Sequence, residues 1–257
     1  MIPCIFNIAT HNTRSFTSPH KQQTLFDLYS LYNLDIIALQ ETNFNNPSHT
    51  HSLKPICLNN FVPFFNTNPS TQSMGFGVGF LIKKHLADHV FHHSSFLHRI
   101  YSIDFQFKNK QKLRIINVYV SSSDKSLRIK THNKALELIN DAHQKDFLTI
   151  ILGDFNADSS RPSNPSNSIA FFTSLENLHM INNLNLVKNQ KLANDLITYE
   201  TSTGWSTIDH IFMHSSLTPD LIDQTVVKID RDLSDHAIVY ATISVTSIIP
   251  PSPNTLQ

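Results

Sequence analysis

The sequence predicts an α/β domain, and two observations lead to this prediction. Short runs rich in β-branched and aromatic residues recur along the chain, and stretches with helical spacing of apolar residues lie between several of them. With 257 residues, of which 40% are hydrophobic, the chain can bury one sizeable core. We therefore expect one domain over residues 1–246, followed by a Pro-rich disordered tail over residues 247–257.

The elements follow from apolar spacing. In the first predicted helix Leu25, Leu28 and Tyr29 lie on one face, and Asp124 or a neighbouring serine can cap the second. The predicted helices are His20–Tyr32, Asp124–Gln144 and Ser168–Leu178. The predicted strands are Ile5–Thr10, Asp35–Leu39, Gly75–Ile82, Ile100–Phe107, Leu113–Val120, Phe147–Leu152, Ile208–Met213, Val226–Ile229 and Ala237–Val245. Short connections predict that the three strands between residues 75 and 120 pair antiparallel.

Other segments give weaker signals. Residues 43–73 are rich in Asn, Pro, Ser and Thr, which predicts a long loop. The glycine-rich stretch 75–79 lacks the third-glycine spacing and the helix of a dinucleotide site, so we interpret it as a strand that another backbone or the substrate approaches closely. His89, His92 and His93 have polar surroundings and no nearby cysteine, which favours a surface loop over a metal site.

Charge and cysteine content restrict the partners and the compartment. The 20 basic and 20 acidic residues cancel, so any phosphate binding must be local. Cys4 and Cys57 are too few for a disulfide framework and lack zinc-site spacing. No secretory or membrane-spanning pattern is present, so we expect an intracellular protein, nuclear or cytoplasmic, that is not secreted and has no membrane partner. We expect a monomer.

Several predicted strands end on a side chain that can bind a metal ion or a phosphate. In an α/β fold, residues that end core strands gather at one rim of the sheet. Gly153 permits a tight exit from its strand, and Asp154 and Asn156 point the same way if the segment stays extended. The full set is Asn12, Glu41, Tyr119, Asp154, Asn156, Asp209, Asp235 and His236.

These residue types suit the hydrolysis of a phosphodiester. The reaction needs charge neutralised on the non-bridging oxygens, an activated water and help for the leaving oxygen. Glu41 is a hard oxygen ligand suited to Mg²⁺. Asp154 can orient or deprotonate the attacking water, and Asn12 and Asn156 can donate to phosphate without adding negative charge.

Two further features favour this chemistry. His236 titrates near neutral pH, and a carboxylate such as Asp209 on its other nitrogen would fix its tautomer and raise its basicity. Arg14, Lys83 and Arg128 could contact a nucleic-acid backbone, although each is more often a solvated charge.

The chain also resembles the endonuclease/exonuclease/phosphatase superfamily, and the resemblance spans residues 7–243. Its blocks, in order, are Asn12, Gln40-Glu41-Thr42, Asn117-Val118-Tyr119, Gly153-Asp154-Phe155-Asn156, Ser206-Thr207-Ile208-Asp209-His210-Ile211 and Ser234-Asp235-His236. Six ordered blocks are far more specific than any one of them. Gly-Asp-Phe-Asn, Ser-x-Ile-Asp and Ser-Asp-His together look most like the endonuclease domains of LINE-type retrotransposons and the related apurinic/apyrimidinic endonucleases.

The resemblance implies a DNase I-like four-layer α/β sandwich, in which two mixed β-sheets pack face to face with helices outside. It also implies Mg²⁺-dependent cleavage of phosphate esters, with Mn²⁺ as an alternative ion. Glu41 matches the metal-binding glutamate, Asn12 the asparagine beside it, and Asp235 a carboxylate assigned to the metal or to the leaving group. The residues expected to contact substrate are Arg14, Asn156 and Ser206.

The same resemblance implies roles for the remaining positions. Asp154 and Asn156 match the pair that handles the nucleophile and the scissile phosphate. Tyr119 matches a tyrosine that contacts the phosphate, and Asp209 with His236 matches a coupled Asp-His pair. One departure is the first loop, where residues 11–15 lack the glycine that the family often has.

We therefore predict a Mg²⁺-dependent endonuclease that hydrolyses DNA. Alternatives within the fold are a phosphatase for inositol phosphates, a sphingomyelinase and an RNA nuclease. Residues 206–209 read Ser-Thr-Ile-Asp where inositol phosphatases typically carry Trp-Cys-Asp-Arg, which counts against that alternative. An alternative of another class is a catalytically inactive, nucleic-acid-binding remnant of a retroelement.

Overall fold

The computed structural model contains two six-stranded mixed β-sheets that pack face to face. The structure describes residues 5–44, 49, 53, 60–66, 75–158, 164–187, 191 and 193–244. The predicted tail over residues 247–257 lies outside the described residues. Within the part that is described, no helix is both long and apolar enough to cross a bilayer.

The first sheet brings the ends of two parallel strands together. Its strands are β1 (Ile5–Asn12), β2 (Ile36–Gln40), β3 (Phe61–Phe65), β4 (Val78–Lys83), β13 (Leu221–Val227) and β14 (Ile238–Ser244), in the order β13-β14-β1-β2-β4-β3. Only β1 and β2 pair in parallel, and their last residues, Asn12 and Gln40, lie side by side. Glu41, which follows β2, is thereby set beside Asn12.

The second sheet brings three more strand ends to the same rim. Its strands are β5 (Val90–Phe96), β6 (Ile100–Gln106), β7 (Lys112–Tyr119), β8 (Leu148–Asp154), β9 (Met180–Asn182) and β12 (Asp209–His214), in the order β5-β6-β7-β8-β12-β9. Asp154 pairs with Tyr119 of the parallel neighbour β7 and with Asp209 of the antiparallel neighbour β12. A separate ribbon joins β10 (Tyr199–Glu200) to β11 (Trp205–Ser206).

The three longer helices cover the outer faces of the sheets: α1 (Pro19–Leu31) packs on the first sheet, and α3 (Lys125–Gln144) and α4 (Ser166–Asn177) pack on the second. Two short helices lie elsewhere: Leu86 of α2 (Lys84–Ala87) belongs to the inner core, and α5 (Asn183–Val187) contacts β12 and β13. Proline in the first turn of α1 is tolerated because the amide there has no partner within the helix. The predicted cap of α3 is confirmed, since the Asp124 carboxylate accepts from the Leu127 N–H at 2.9 Å.

Strand alternation divides the apolar residues between an inner and an outer core. In β2, Ile36 and Ala38 face the second sheet, whereas Ile37 and Leu39 pack with Leu25 and its neighbours on α1. Both faces of this strand are buried, which explains its continuous apolar sequence.

Strand β8 shows the same division in the second sheet. Ile150 and Leu152 face the inner core, whereas Ile151 packs against Ile139 of α3 and Phe171 of α4. Helix, sheet, sheet and helix therefore form four layers, which confirms the predicted fold class.

The sequence prediction missed the edge strands β3, β5 and β9. Phe61–Phe65 forms β3 inside the segment expected to be loop, and its Pro63 is tolerated because the strand lies at the sheet edge. His92 and His93 belong to edge strand β5, whose largely exposed side chains give no apolar alternation, so the predicted loop there is wrong. The expected pairing of β4 with its successors is also wrong, since β4 belongs to the first sheet.

The glycine-rich strand and a buried amide hold the two sheets together near the site rim. A Cβ at Gly79 would lie 2.6 Å from the Phe64 carbonyl oxygen of β3, which confirms the expected close approach of another backbone. The Asn117 amide of β7 donates to the carbonyls of Leu39 and Gly79 at 2.9 Å each, and it accepts from Gln40 at 2.7 Å. These buried bonds fix the register of one sheet against the other.

Candidate active site

The side-chain amide of Asn12 connects the two sheets at the rim. It donates to Oε1 of Glu41 at 3.0 Å and to Oδ2 of Asp154 at 2.9 Å. Its Oδ1 accepts from the backbone N–H of Arg14 at 3.0 Å. Because both amide hydrogens are used by carboxylates, Asn12 spaces two acids that would otherwise repel each other.

Glu41 is held by Asn12 and by a tyrosine from the other sheet. The Tyr119 hydroxyl donates to Oε1 of Glu41 at 2.7 Å, and the Arg99 guanidinium lies 4.4 Å from the centre of the tyrosine ring. Burial and the charge of Glu41 raise the pKa of Tyr119 well above its usual value, so the hydroxyl stays a neutral donor. Glu41 itself adopts the left-handed region, with φ of 50°.

The Gly-Asp-Phe-Asn segment ends β8, and its first position requires glycine. Gly153 has φ of 146°, and a Cβ there would lie 1.9 Å from the Val118 carbonyl oxygen. The backbone N–H of Asn156 then donates to Oδ1 of Asp154 at 2.8 Å. Strand β8 thus continues through Gly153 to Asp154, and the chain turns only after Asp154, so glycine is needed for the close approach of Val118 and not for the predicted exit.

Asn156 supports Asp154 by a route that differs from the predicted one. The segment does not stay extended, because Asn156 has φ of 47°, a left-handed conformation that asparagine tolerates. Its amide donates to the Val120 carbonyl at 2.8 Å and to Oδ2 of Asp154 at 3.2 Å. In this arrangement Asn156 orients the carboxylate.

His236 and Asp209 form the expected pair, and it points at Asp154. Nδ1 of His236 lies 2.9 Å from Oδ2 of Asp209, and Nε2 lies 4.0 Å from Oδ2 of Asp154. All three side chains are buried. Since Asp209 can only accept when ionised, Nδ1 carries the hydrogen and Nε2 faces Asp154.

Burial and the neighbouring charges shift the pKa values of Asp154 and His236. Burial raises the pKa of Asp154 to about 7, and the charge of His236 opposes that rise. Burial alone would lower the pKa of His236, but the charge of Asp209 and the hydrogen bond to it outweigh burial and raise this pKa to about 9. Near neutral pH the imidazole is therefore charged while Asp154 is close to its titration point.

Two groups of side chains here could hold a metal ion. One ligand atom from each of Asp154, Asp209 and His236 lies within 4.8 Å of the others. However, the Asp209 oxygen and Nδ1 of His236 already bind each other, so that group is better suited to carry a proton. Glu41 fits a hard cation, because its Oε1 is fixed by two donors and the side chain lines an open cavity of about 440 Å³.

Arg14 and Asp235, predicted as separate site residues, form an ion pair. Nη1 of Arg14 lies 2.9 Å from Oδ2 of Asp235, and 58% of the Arg14 side chain is exposed to solvent. Arg14 lines the Glu41 cavity together with Lys21 and Arg231. Asp232 lines the same cavity, and the two arginines are ion-paired, Arg14 with Asp235 and Arg231 with Glu200, so these basic side chains are largely balanced by acids.

Ser206, which was predicted to bind substrate, contacts the backbone near Asp209, and its hydrogen bond there involves none of the other predicted site residues. It belongs to β11, and its carbonyl accepts from the Thr198 N–H at 3.1 Å. The Thr198 hydroxyl in turn accepts from the N–H groups of Ile208 and Asp209 at 3.0 Å each. Ser206 thus supports the backbone that presents Asp209.

Sequence reasoning missed three residues that position the site. Thr198 orders the approach to Asp209 and precedes a strand of only two residues, which leaves no periodic signal. The Ser234 hydroxyl donates to the Asn12 carbonyl at 2.7 Å and accepts from the His236 N–H at 3.1 Å. Its place in the Ser-Asp-His block was the available signal. Arg99 carried none, because its partner Tyr119 is distant in sequence.

The fold and this site define the class, a hydrolase of phosphate esters. Residues 9–236 match the model of the endonuclease/exonuclease/phosphatase family, and the chain belongs to that family. Members of this family use divalent metals. No curated protein matches the sequence significantly.

Solved structures share the fold at low identity. The 3′-5′ exonuclease (NExo) from Neisseria meningitidis is 18% identical, has a TM-score of 0.73, and the match covers 93% of this chain and 100% of that one. A Neisseria 3′ phosphatase NExo bound to a product DNA hairpin is 19% identical, with a TM-score of 0.68 and coverage of 92% and 98%. An AP endonuclease from Archaeoglobus fulgidus is 16% identical, with a TM-score of 0.71 and coverage of 93% and 100%.

Proposed function

We propose that this protein is a Mg²⁺-dependent endonuclease that hydrolyses DNA phosphodiester bonds. The observation that carries the proposal is the double hydrogen bond from Asn12 to Glu41 and Asp154. It joins Glu41, our proposed metal ligand, to Asp154, whose pKa of about 7 supports the proposed role of general base. All the proposed catalytic positions are filled, which argues against an inactive remnant.

Glu41 and Asn12 are the proposed metal-holding residues, with Asp235 nearby through Arg14. When bound, Mg²⁺ would neutralise charge on the phosphate oxygens. Tyr119 contributes by fixing one oxygen of Glu41, so that the carboxylate keeps one orientation. This arrangement agrees with the coordination preference of Mg²⁺, which commonly binds one or two protein carboxylates and keeps several water ligands.

Asp154 is the proposed base. Its Oδ1 is held by the Asn156 N–H and its Oδ2 by Asn12, which leaves a fixed carboxylate to orient a water and take its proton. The water oxygen then forms the new bond to phosphorus, and the ester bond to the leaving oxygen breaks. Proton transfer of this kind contributes about 10²–10⁴-fold to rate.

His236 is the proposed electrostatic stabiliser. Asp209 keeps its ring charged, and its Nε2 proton can be donated to a phosphate oxygen as negative charge develops there. Asn156 can exchange its longer bond to Asp154, at 3.2 Å, for a phosphate oxygen. The proposed role of Arg14, which is paired with Asp235, is to contact the substrate backbone or the leaving oxygen.

DNA is the proposed substrate for two reasons. The motifs resemble those of LINE-type and apurinic/apyrimidinic endonucleases, and one structural neighbour is bound to a DNA hairpin. Arg14, Lys21 and Arg231 line the Glu41 cavity and can contact phosphates, with Asp232 in the same lining and the two arginines paired with Asp235 and Glu200. The LINE-type origin itself is part of this proposal and rests on the motifs alone.

The test is nicking of supercoiled plasmid by the purified chain, with Mg²⁺ or with chelator. Asp154→Ala should abolish Mg²⁺-dependent nicking, whereas Glu137→Gln, a matched change of an exposed carboxylate on α3, should leave it intact. Nicking that survives in Asp154→Ala would contradict the proposed base.

Parallel assays separate the alternatives. An abasic duplex, single-stranded RNA and an inositol polyphosphate are incubated under the same conditions. Faster cleavage of RNA or of the inositol phosphate than of both DNA substrates would reassign the substrate class. A folded protein that binds DNA and cleaves none of the four substrates would favour the inactive remnant.

A further inference from the structure

Three histidines converge at the end of β12 that lies away from the catalytic rim. They are His143 near the end of α3, His179 just before β9 and His214 at the end of β12. The His143 and His214 ring centres are 4.8 Å apart, and those of His179 and His214 are 6.4 Å apart. Asp209 begins the same strand, so the cluster lies roughly 17 Å along β12 from the site residues.

The backbone fixes two members of this cluster against each other. The Ser215 N–H donates to the His179 carbonyl at 2.8 Å, and His214 is paired with Met180 in the sheet. His179 adopts a left-handed φ of 57°, which directs the chain from α4 into β9. The histidines thus stand on the ends of three regular elements.

The free nitrogens of the cluster have ligand character. Nε2 of His143 is shielded from solvent and has no hydrogen-bond partner among the described residues. Nδ1 of His214 lies 2.7 Å from the Ser216 hydroxyl, which can accept the Nδ1 hydrogen when Nε2 binds an ion. Once Nδ1 of His214 carries a hydrogen, it can no longer accept from the Ser216 N–H, but that hydrogen bond is already long at 3.3 Å.

We propose that His143, His179 and His214 form a second cation site, which binds Zn²⁺ or a similar late first-row divalent ion. Zn–N bonds are about 2.0–2.1 Å, so ligand nitrogens on one tetrahedral ion lie roughly 3.4 Å apart. The ligand nitrogens of the three rings do not all lie within 4.8 Å of one another in this structure, so the proposed site requires the exposed His179 side chain to turn toward the other two. Imidazole nitrogens favour Zn²⁺, Cu²⁺ and Ni²⁺ over Mg²⁺, so this site differs in chemistry from Glu41.

The protonation of the cluster supports metal binding at neutral pH. Burial, then the nearby His214 and His179, lower the pKa of His143, and burial followed by His179 lowers the pKa of His214. Both rings are thus neutral near pH 7, and neutral imidazole is the form that ligates metal. An ion here would tie α3, β9 and β12 together.

The experiment measures Zn²⁺ binding to tag-free protein by calorimetry. His143→Ala, His179→Ala and His214→Ala should each remove one bound Zn²⁺ or weaken it at least about tenfold. His20→Ala and His85→Ala, matched changes of exposed histidines on α1 and α2, should bind as the wild type does. Circular dichroism and the Tm without metal show whether each variant is folded, and His143→Gln repeats the test with a side chain closer in size.

Two further measurements identify the site. Co²⁺ bound to the wild type should give the visible absorption of tetrahedral nitrogen ligation, and Zn²⁺ should raise the Tm of the wild type and not that of the variants. Saturating Mg²⁺ should leave both signals unchanged, which separates this site from the proposed Mg²⁺ site at Glu41. The proposal is overturned if the triple variant H143A/H179A/H214A binds as many Zn²⁺ ions as the wild type with equal affinity.

Discussion

The side-chain nitrogen of Asn12 lies 2.9 Å from Oδ2 of Asp154, although the two residues are 142 positions apart in the sequence. The same amide also binds Glu41 at 3.0 Å. One neutral side chain therefore joins the end of the first sheet to the end of the second. A substitution there changes the electrostatics of both acids without removing either.

Asn12→Ala should slow hydrolysis by about 10–100-fold and shift the acidic limb of the pH–rate profile to higher pH. The Asn12 hydrogen bond lowers the pKa of Asp154, so its loss leaves the buried carboxyl harder to ionise. The measurement is kcat/KM for plasmid nicking between pH 5.5 and 10. A slower enzyme with an unmoved acidic limb would show that Asn12 does not tune Asp154.

The pH–rate profile of the unaltered enzyme should have two limbs. Activity should rise as Asp154 loses its proton near pH 7 and fall as His236 loses its proton near pH 9. Since the two groups interact, the limbs report the pair. Asp209→Asn should move the basic limb down, because burial then acts on His236 without its compensating charge. NMR titration of the His236 ring checks the assignment.

The free energy of unfolding should depend on the protonation of His236, which Asp209 stabilises in its charged form. The folded pKa of His236 is raised above its unfolded value near 6.5, so its contribution is fully present below pH 6.5 and is lost as the pH rises through about 9. Urea unfolding at pH 6.5 and at pH 9.5 should show this loss in the wild type, and Asp209→Asn should show much less of it. Equal losses in both proteins would contradict the linkage.

Glu41→Gln should weaken activation by Mg²⁺ and leave the fold intact. The amide keeps the size of the side chain, but it removes the charge that attracts the ion. We expect nicking to need at least about tenfold more Mg²⁺, measured as rate against Mg²⁺ concentration, with Glu137→Gln as the control. An unchanged Mg²⁺ requirement would place the ion elsewhere, with Asp154, Asp209 and His236 as the alternative group.

The sequence predicted the central strands because burial on both faces leaves a continuous apolar run, as in β2 and β8. Edge strands are exposed on at least one side, so their sequences carry a weaker apolar pattern. Strand β3 contains Pro63, and β5 exposes His92 and His93, so neither carries the usual periodic signal. Assignment of β4 to the first sheet depends on contacts with distant β2, which no local pattern encodes.

The site residues were predictable because they stand at strand ends, but their contacts were not. The bond from Asn12 to Asp154 depends on how the two sheets pack. The bond from Asn12 to Glu41 and the Arg14–Asp235 ion pair depend on the pairing of β1 with β2 and β14, which are distant from it in sequence. The left-handed conformation of Asn156 was not predicted either, because it accompanies a hydrogen bond from the Asn156 N–H to the Asp154 carboxylate.

Gly153→Ala should destabilise the protein far more than Gly204→Ala does. A methyl group at Gly153 would lie 1.9 Å from the Val118 carbonyl oxygen, and φ of 146° is a conformation that L side chains rarely adopt. Overpacking and backbone strain each cost roughly 1–3 kcal/mol, so we expect a loss of about 3 kcal/mol or more. Gly204 is exposed, and a Cβ there would meet nothing within 4 Å, so its change should be nearly neutral. Urea unfolding of both variants checks the difference.

If Gly153→Ala folds, its nicking rate should also fall, because a shift of β8 that relieves the clash with Val118 would also move the adjacent Asp154 relative to Asn12. A Gly153→Ala protein with wild-type stability and activity would show that β8 can shift without disturbing the rim, and that the close approach of Gly153 to Val118 is not what positions the carboxylate.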